Sequence, residues 1–155
     1  MIDVADPKLD PHKLSIEDKI ELVKQSNGLL VDILPNKVDG GLYLGGCTSL
    51  THLPDGLKVR NLDLRGCTSL THLPDGLKVD GYLDLRGCTS LTHLPDGLKV
   101  SGDLNLWGCT SLTHLPDGLK VDGDLNLRGC TGLYHYKKKP KAKWRQGIKG
   151  KIIWE

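Results

Sequence analysis

Short alternations of apolar and polar residues recur through the middle of the chain: Leu42-Tyr43-Leu44, Leu62-Asp63-Leu64, Leu83-Asp84-Leu85, Leu104-Asn105-Leu106 and Leu125-Asn126-Leu127. A period of two marks a strand with one buried face. Each alternation is followed by one block, Gly46-Cys-Thr-Ser-Leu-Thr-His-Leu-Pro-Asp-Gly-Leu-Lys-Val59, which returns at 66–79, 87–100 and 108–121. A decayed fifth copy opens at Gly129. The cysteines at 47, 67, 88, 109 and 130 set the step at 20 residues once and 21 three times. Self-similarity at a fixed period of this length predicts stacked units, each covering its neighbour's apolar face.

The rest of each unit reads as extended or turn-like chain. Leu53-Pro54 and its copies place a proline that removes an N–H donor and drives the preceding residue out of the helical region. Pro-Asp-Gly is then a turn. Leu53, Leu57, Val59 and their equivalents join the strand leucines and the cysteines as inward ladders. Ahead of the array, Pro7 and Pro11 make residues 1–14 irregular. Ser15 and Asp18 then form a capping-box-like start. A helix is predicted over 16–26, with Ile16, Ile20, Leu22 and Val23 on one face and a stop at Asn27-Gly28. Leu29 to Val38 reads as a degenerate half-repeat. After Cys130 the pattern dissolves, and Ile148 to Trp154 predicts one or two short strands over the last rung, lysines outward.

With Cys and Leu downstream, each copy reads L-x-L-x-x-C-x-x-L. This resembles the leucine-rich repeat. The short period and the Leu-Thr-x-Leu-Pro segment are similar to the arrays of secreted bacterial effectors, and Gly-Cys-Thr-Ser-Leu is like the cysteine-type repeats of plant immune receptors. The resemblance implies a leucine-rich-repeat solenoid with a parallel β-sheet on the concave face, a non-helical convex side and a short N-terminal capping helix. It divides the chain into an N-terminal cap (1–39), a five-rung array (40–136) and a basic C-terminal segment (137–155). It also implies bacterial or phage origin and protein binding. The ubiquitin-ligase domain that some effector arrays carry has no counterpart in these residues.

Composition adds three points. The 155 residues include no phenylalanine, so leucine carries the core. The net charge of +2 hides an asymmetry: residues 1–40 hold 5 basic and 8 acidic side chains, residues 137–155 hold 8 and 1. No apolar run reaches the roughly 20 residues that span a bilayer. Without a basic-then-apolar leader at the N-terminus, a cytoplasmic location is expected, with signal-less secretion left open.

Candidate chemistry is sparse. The cysteine column lacks zinc-ligand spacing and reads as small buried hydrophobes, with disulfide or metal as the minor alternative. Histidines 52, 72, 93, 114 and 135 form a second column that faces solvent. Five imidazoles in a row would lower stability in acid as they protonate. Ser49, Ser69, Ser90 and Ser111 are copies of one another, with no separate acid or base to activate them. No enzyme, cofactor or metal is therefore expected.

The columns that vary between copies are the informative ones. Tyr43, Asp63, Asp84, Asn105 and Asn126 form one. Gly45, Arg65, Arg86, Trp107 and Arg128 form the next, and Gly41, Asn61, Tyr82, Asp103 and Asp124 the third. They tile the exposed face of the predicted sheet, and Tyr, Trp and Arg are the types enriched at interface hot spots. The predicted partner-binding set is Asp63, Arg65, Tyr82, Asp84, Arg86, Asp103, Asn105, Trp107, Asp124, Asn126 and Arg128, facing a protein partner. A runner-up reading gives nucleic acid or an anionic surface to Lys137, Lys138, Lys139, Lys141, Lys143 and Arg145, with Trp144 and Trp154 for stacking or insertion. A third is a solenoid with no dedicated partner.

Overall fold

The computed structural model, which describes residue 6 and residues 9–139 and 142–155, makes a strand of each Leu-x-Leu run and adds a second strand to each of the four full copies. In chain order these are β1 (Gly41–Tyr43), β2 (Lys58–Val59), β3 (Asn61–Asp63), β4 (Lys78–Val79), β5 (Leu83–Asp84), β6 (Lys99–Val100), β7 (Leu104–Asn105), β8 (Lys120–Val121), β9 (Leu125–Asn126) and β10 (Ile152–Ile153). Two parallel sheets result, one ordered β1-β3-β5-β7-β9-β10 and one β2-β4-β6-β8. The register advances one repeat per strand: Leu42 lies opposite Leu62, Leu62 opposite Leu83, then Leu104 and Leu125. The chain is thus a parallel β-solenoid of about four turns, spaced about 21 residues apart.

The second sheet goes beyond the extended chain read from the sequence. Its Lys-Val dipeptides pair because Val59 and its copies point into the core while the lysines stay in solvent. Between the sheets the leucine, cysteine and valine ladders form one continuous buried cluster. Burying one leucine is worth about 1.5–3 kcal/mol. Because each rung supplies its neighbour's cover, the interface between rungs is the unit of stability.

Two kinds of glycine shape the lap. In the Pro-Asp-Gly turn, Gly56, Gly76 and Gly97 sit at φ of 66°, 70° and 69°, where a side chain is disfavoured. Gly81, Gly102 and Gly123 have no such backbone requirement but no room either: the Gly102 N–H donates to Gly81 at 2.8 Å and the Gly123 N–H to Gly102 at 3.0 Å.

Before the array, helix α1 spans Ile16–Gln25, one residue shorter than predicted. The Asp18 N–H donates to Ser15 Oγ at 3.1 Å, and left-handed Asn27 and Gly28 end the helix. Leu22 and Val23 are buried, and Val23 joins the core cluster. Asn27 holds Thr48 and Ser49 of the first copy. Lys37 bridges to Lys58, so the half-repeat extends the second sheet by one position. Pro11 opens a 3-10 turn, while Pro7 lies outside the described residues.

After the array the chain forms a short helix, α2 (Tyr134–Lys137), a 3-10 turn (Lys143–Gly147) and β10, which pairs with β9. One strand, not two, therefore lies over the last rung of the main sheet. Trp144 is buried, and Ile148, Ile152 and Trp154 pack against the core. Among the described residues no helix is long and apolar enough to cross a membrane.

Candidate functional site

The outward side of the six-stranded sheet carries the three variable columns, and the structure separates their structural side chains from their available ones. The register aligns Tyr43, Asp63, Asp84, Asn105 and Asn126. From the second copy on, the side chain of this column accepts the backbone N–H two residues later. Asp63 accepts from Arg65 at 3.1 Å, Asp84 from Arg86 at 3.2 Å, Asn105 from Trp107 at 3.1 Å and Asn126 from Arg128 at 3.1 Å. This is an Asx turn, by which the chain leaves the strand, and only a short side-chain oxygen makes it. Asp63, read from the sequence as a contact residue, is only 6% exposed. The choice of Asp or Asn in this column thus answers first to local turn chemistry.

In copies two and three the carboxylate also clamps the following arginine. Arg65 Nε lies 2.9 Å from Asp63 Oδ1 and its Nη2 2.6 Å from Oδ2. Arg86 meets Asp84 in the same way at 3.0 and 2.7 Å. Arg65 Nε is also 3.8 Å from Asp84 Oδ2, which links the two forks across the ladder. Burial alone would raise the Asp63 carboxyl, but the hydrogen bonds and charge of Arg65, with Arg86 behind, outweigh it and hold the group below the usual carboxylate range.

The third column staples successive rungs. Asn61 Oδ1 accepts the Tyr82 N–H at 3.1 Å, Asp103 Oδ1 the Asp124 N–H at 2.8 Å, and Asp124 Oδ1 the Lys151 N–H at 2.7 Å. Asp103 and Asp124, predicted as partner contacts, therefore each have one carboxylate oxygen already engaged. What remains available is a set of large side chains: Tyr43 at 48% exposure, Tyr82 at 38%, Trp107 at 54%, and the exposed Arg128. Tyr43 folds back over Gly41. Desolvation, then the neighbouring Tyr43 hydroxyl, raise the Tyr82 hydroxyl pKa. Tyr43, placed by the sequence in the outward column, is absent from the predicted contact set. An aromatic at an outward strand position was the available signal.

The other columns hold less. His72, His93 and His114 stack in parallel, with centroids 6.2 and 6.5 Å apart. The predicted row of five is broken at both ends: His52 turns to Asp32 at 2.9 Å, and His135 sits in α2 against Tyr136. All five cysteines are buried and free. The thiols of Cys67, Cys88, Cys109 and Cys130 each donate to a leucine carbonyl of the preceding rung, at 2.9 to 3.2 Å. Burial pushes Cys67 and Cys88 up to about 12 and Cys130 to about 11. Among the described residues no group of three or more His, Cys, Asp or Glu side chains is placed to hold a metal ion.

The basic segment is less available than its composition promises. Lys137 pairs with Glu155, Lys139 lies beside the Tyr136 ring, and Lys138 and Lys143 are exposed. Arg145 covers the Trp144 ring and donates to the Lys139 and Tyr136 carbonyls. Trp144, foreseen as a stacking or membrane-inserting side chain, is 1% exposed and serves the core instead. Lys141 lies outside the described residues. Compared with known proteins, the chain matches no family model, no curated protein and no solved structure.

Proposed function

We propose that this chain is a non-enzymatic interaction module of leucine-rich-repeat type. It binds a partner protein through the outward face of the six-stranded sheet, the concave wall of the array, with α1 covering the first rung as a cap. The observation that supports this best is the collection of Tyr43, Tyr82, Trp107 and Arg128 on one face of an otherwise repetitive solenoid. Leucine in those places would raise apolar exposure without direction. Tyr, Trp and Arg instead combine contact area with defined polar groups, as hot-spot residues do. The Asp63–Arg65 and Asp84–Arg86 forks form a rigid, internally neutralised middle that orders the surface before a partner arrives.

The test is a pull-down from lysate with Tyr82→Ala and Trp107→Ala, each checked by circular dichroism. Both should lose most of the bound partner while folding normally. Retention of the partner by both variants would refute the concave-face reading. Binding of nucleic acid or an anionic surface through the C-terminal segment ranks second, since Trp144 and Arg145 are engaged within the fold. A salt-dependent gel shift would reverse that ranking.

A further inference from the structure

We infer that the C-terminal part of this face is a receptor for the carboxylate of an acidic peptide, with Arg128 as the anchor and Trp107 as the apolar shelf beside it. The inference rests on the interaction-module reading above and names the chemistry of the partner.

The array displays its own bound state. In copies two and three an arginine grips the carboxylate two residues before it through Nε and Nη2, at 2.6 to 3.0 Å. In the fifth copy Asn126 stands where Asp63 and Asp84 stand, in continuous register through Asn105. Its Oδ1 still accepts the Arg128 N–H at 3.1 Å, so the turn survives. An amide, however, carries no charge and cannot offer a second anionic oxygen. Arg128 thus keeps the position of Arg65 and Arg86 without their anion. It is exposed and has no ion pair among the described residues.

The surroundings fit the same ligand. Trp107 is the neighbour of Arg128 across the ladder, since the Gly108 N–H donates to the Arg128 carbonyl at 2.8 Å. Rungs are about 4.8 Å apart, so a residue next to the bound carboxylate reaches the indole. Asn105 and Asn126 lie directly opposite each other, each with Oδ1 engaged, which leaves their NH2 groups as donors with no partner among the described residues. The Arg128 guanidinium and the two amide NH2 groups are thus donors beside the exposed Trp107 ring. Asp103 and Asp124 sit at the other end of these strands, tied to backbone N–H groups. The complement is an acceptor-rich, anionic surface: an aspartate or glutamate flanked by an apolar side chain.

Asn126→Asp is the discriminating variant, because it closes the fork within the chain and recreates a pairing that the fold already tolerates at Asp84–Arg86. A random peptide library displayed on phage is selected against the wild-type chain, and an enriched peptide is synthesised for fluorescence polarisation. Enriched sequences should carry Asp or Glu beside Leu, Ile or Phe. Affinity should fall about tenfold or more with Asn126→Asp, with Arg128→Gln, and with Glu→Gln in the peptide, the loss expected when a charge-assisted pair is removed. The melting temperature of Asn126→Asp should not drop. Peptides that bind both variants undiminished, yet fail on Trp107→Ala, would overturn the carboxylate receptor and leave the surface reading standing. Enrichment of basic peptides, displacement by a single-stranded oligonucleotide, or no enrichment would overturn the inference too. The lysate pull-down would then judge the surface reading separately.

Discussion

Replacing Gly102 by alanine would wedge two rungs apart. A Cβ at Gly102 would lie 2.9 Å from both the carbonyl carbon and the oxygen of Gly81, and 3.1 Å from the Tyr82 nitrogen. These are backbone atoms, held by the 2.8 Å hydrogen bond from Gly102 N–H to Gly81, so no side chain can swing aside. Carbon atoms pack at about 3.5–4.0 Å, and the rungs must part locally by about 0.6–1 Å to admit the methyl. Overpacking of this kind costs about 1–3 kcal/mol, and weakening the ladder bond adds about 1. We expect a total of about 2–4 kcal/mol. Gly97→Ala is the control, with φ at +69° and nothing within 4 Å. It should meet only the left-handed backbone penalty of about 1–2 kcal/mol. Urea unfolding followed by far-UV circular dichroism measures both. Gly102→Ala should also unfold less cooperatively, because the damage sits at one interface in a chain of nearest-neighbour interfaces. Should Gly102→Ala lose no more stability than Gly97→Ala, rung spacing is not what that glycine serves.

Two further predictions concern charge and thiols. The Asp63 carboxyl is depressed in the folded state, so its contribution is complete above the unfolded value of about 3.9 and is lost as pH falls through the folded value. Asp63→Asn keeps the turn and loses the fork; its melting temperature should lie slightly below wild type at neutral pH, a small gap because Arg65 is half exposed. The gap should narrow as pH falls below the ordinary carboxylate range, and a gap that stays constant through acid would refute the assignment. For the thiols, pKa values pushed up to about 12 at Cys67 and Cys88 leave about a thousandfold less thiolate near pH 8 than an ordinary cysteine has. Ellman's reagent should find no rapidly reacting thiol in the native protein and five after guanidinium. Two or more fast native thiols would mean that the column is open to solvent.

Much of the architecture is legible in the residues because it rests on local rules. Alternating leucines declare a buried strand face, Pro-Asp-Gly declares a turn, and repetition at 20 or 21 residues declares stacking. The cap residues of α1 are equally readable, since Ser15 and Asp18 meet within one turn of helix. The proposed binding face was legible only as a surface. Asp63 looks like an outward charge until its oxygens are seen on Arg65, and Asp124 looks free until it meets the Lys151 N–H from 27 residues away. Trp144 in a lysine-rich run reads as an exposed anchor, and only packing on the last rung shows that it fills the core.

The amino-acid sequence by itself determined the period, the inward ladders and the places where the chain turns, since each depends on side-chain alternation or on backbone limits within a few residues. Tertiary structure alone decided that the Lys-Val pairs close into a second sheet, that Gly102 is held by contact and not by conformation, and that Arg128 lacks the anion its counterparts hold. Those outcomes depend on which groups come within hydrogen-bond distance when successive laps stack about 4.8 Å apart, and no single lap contains that distance.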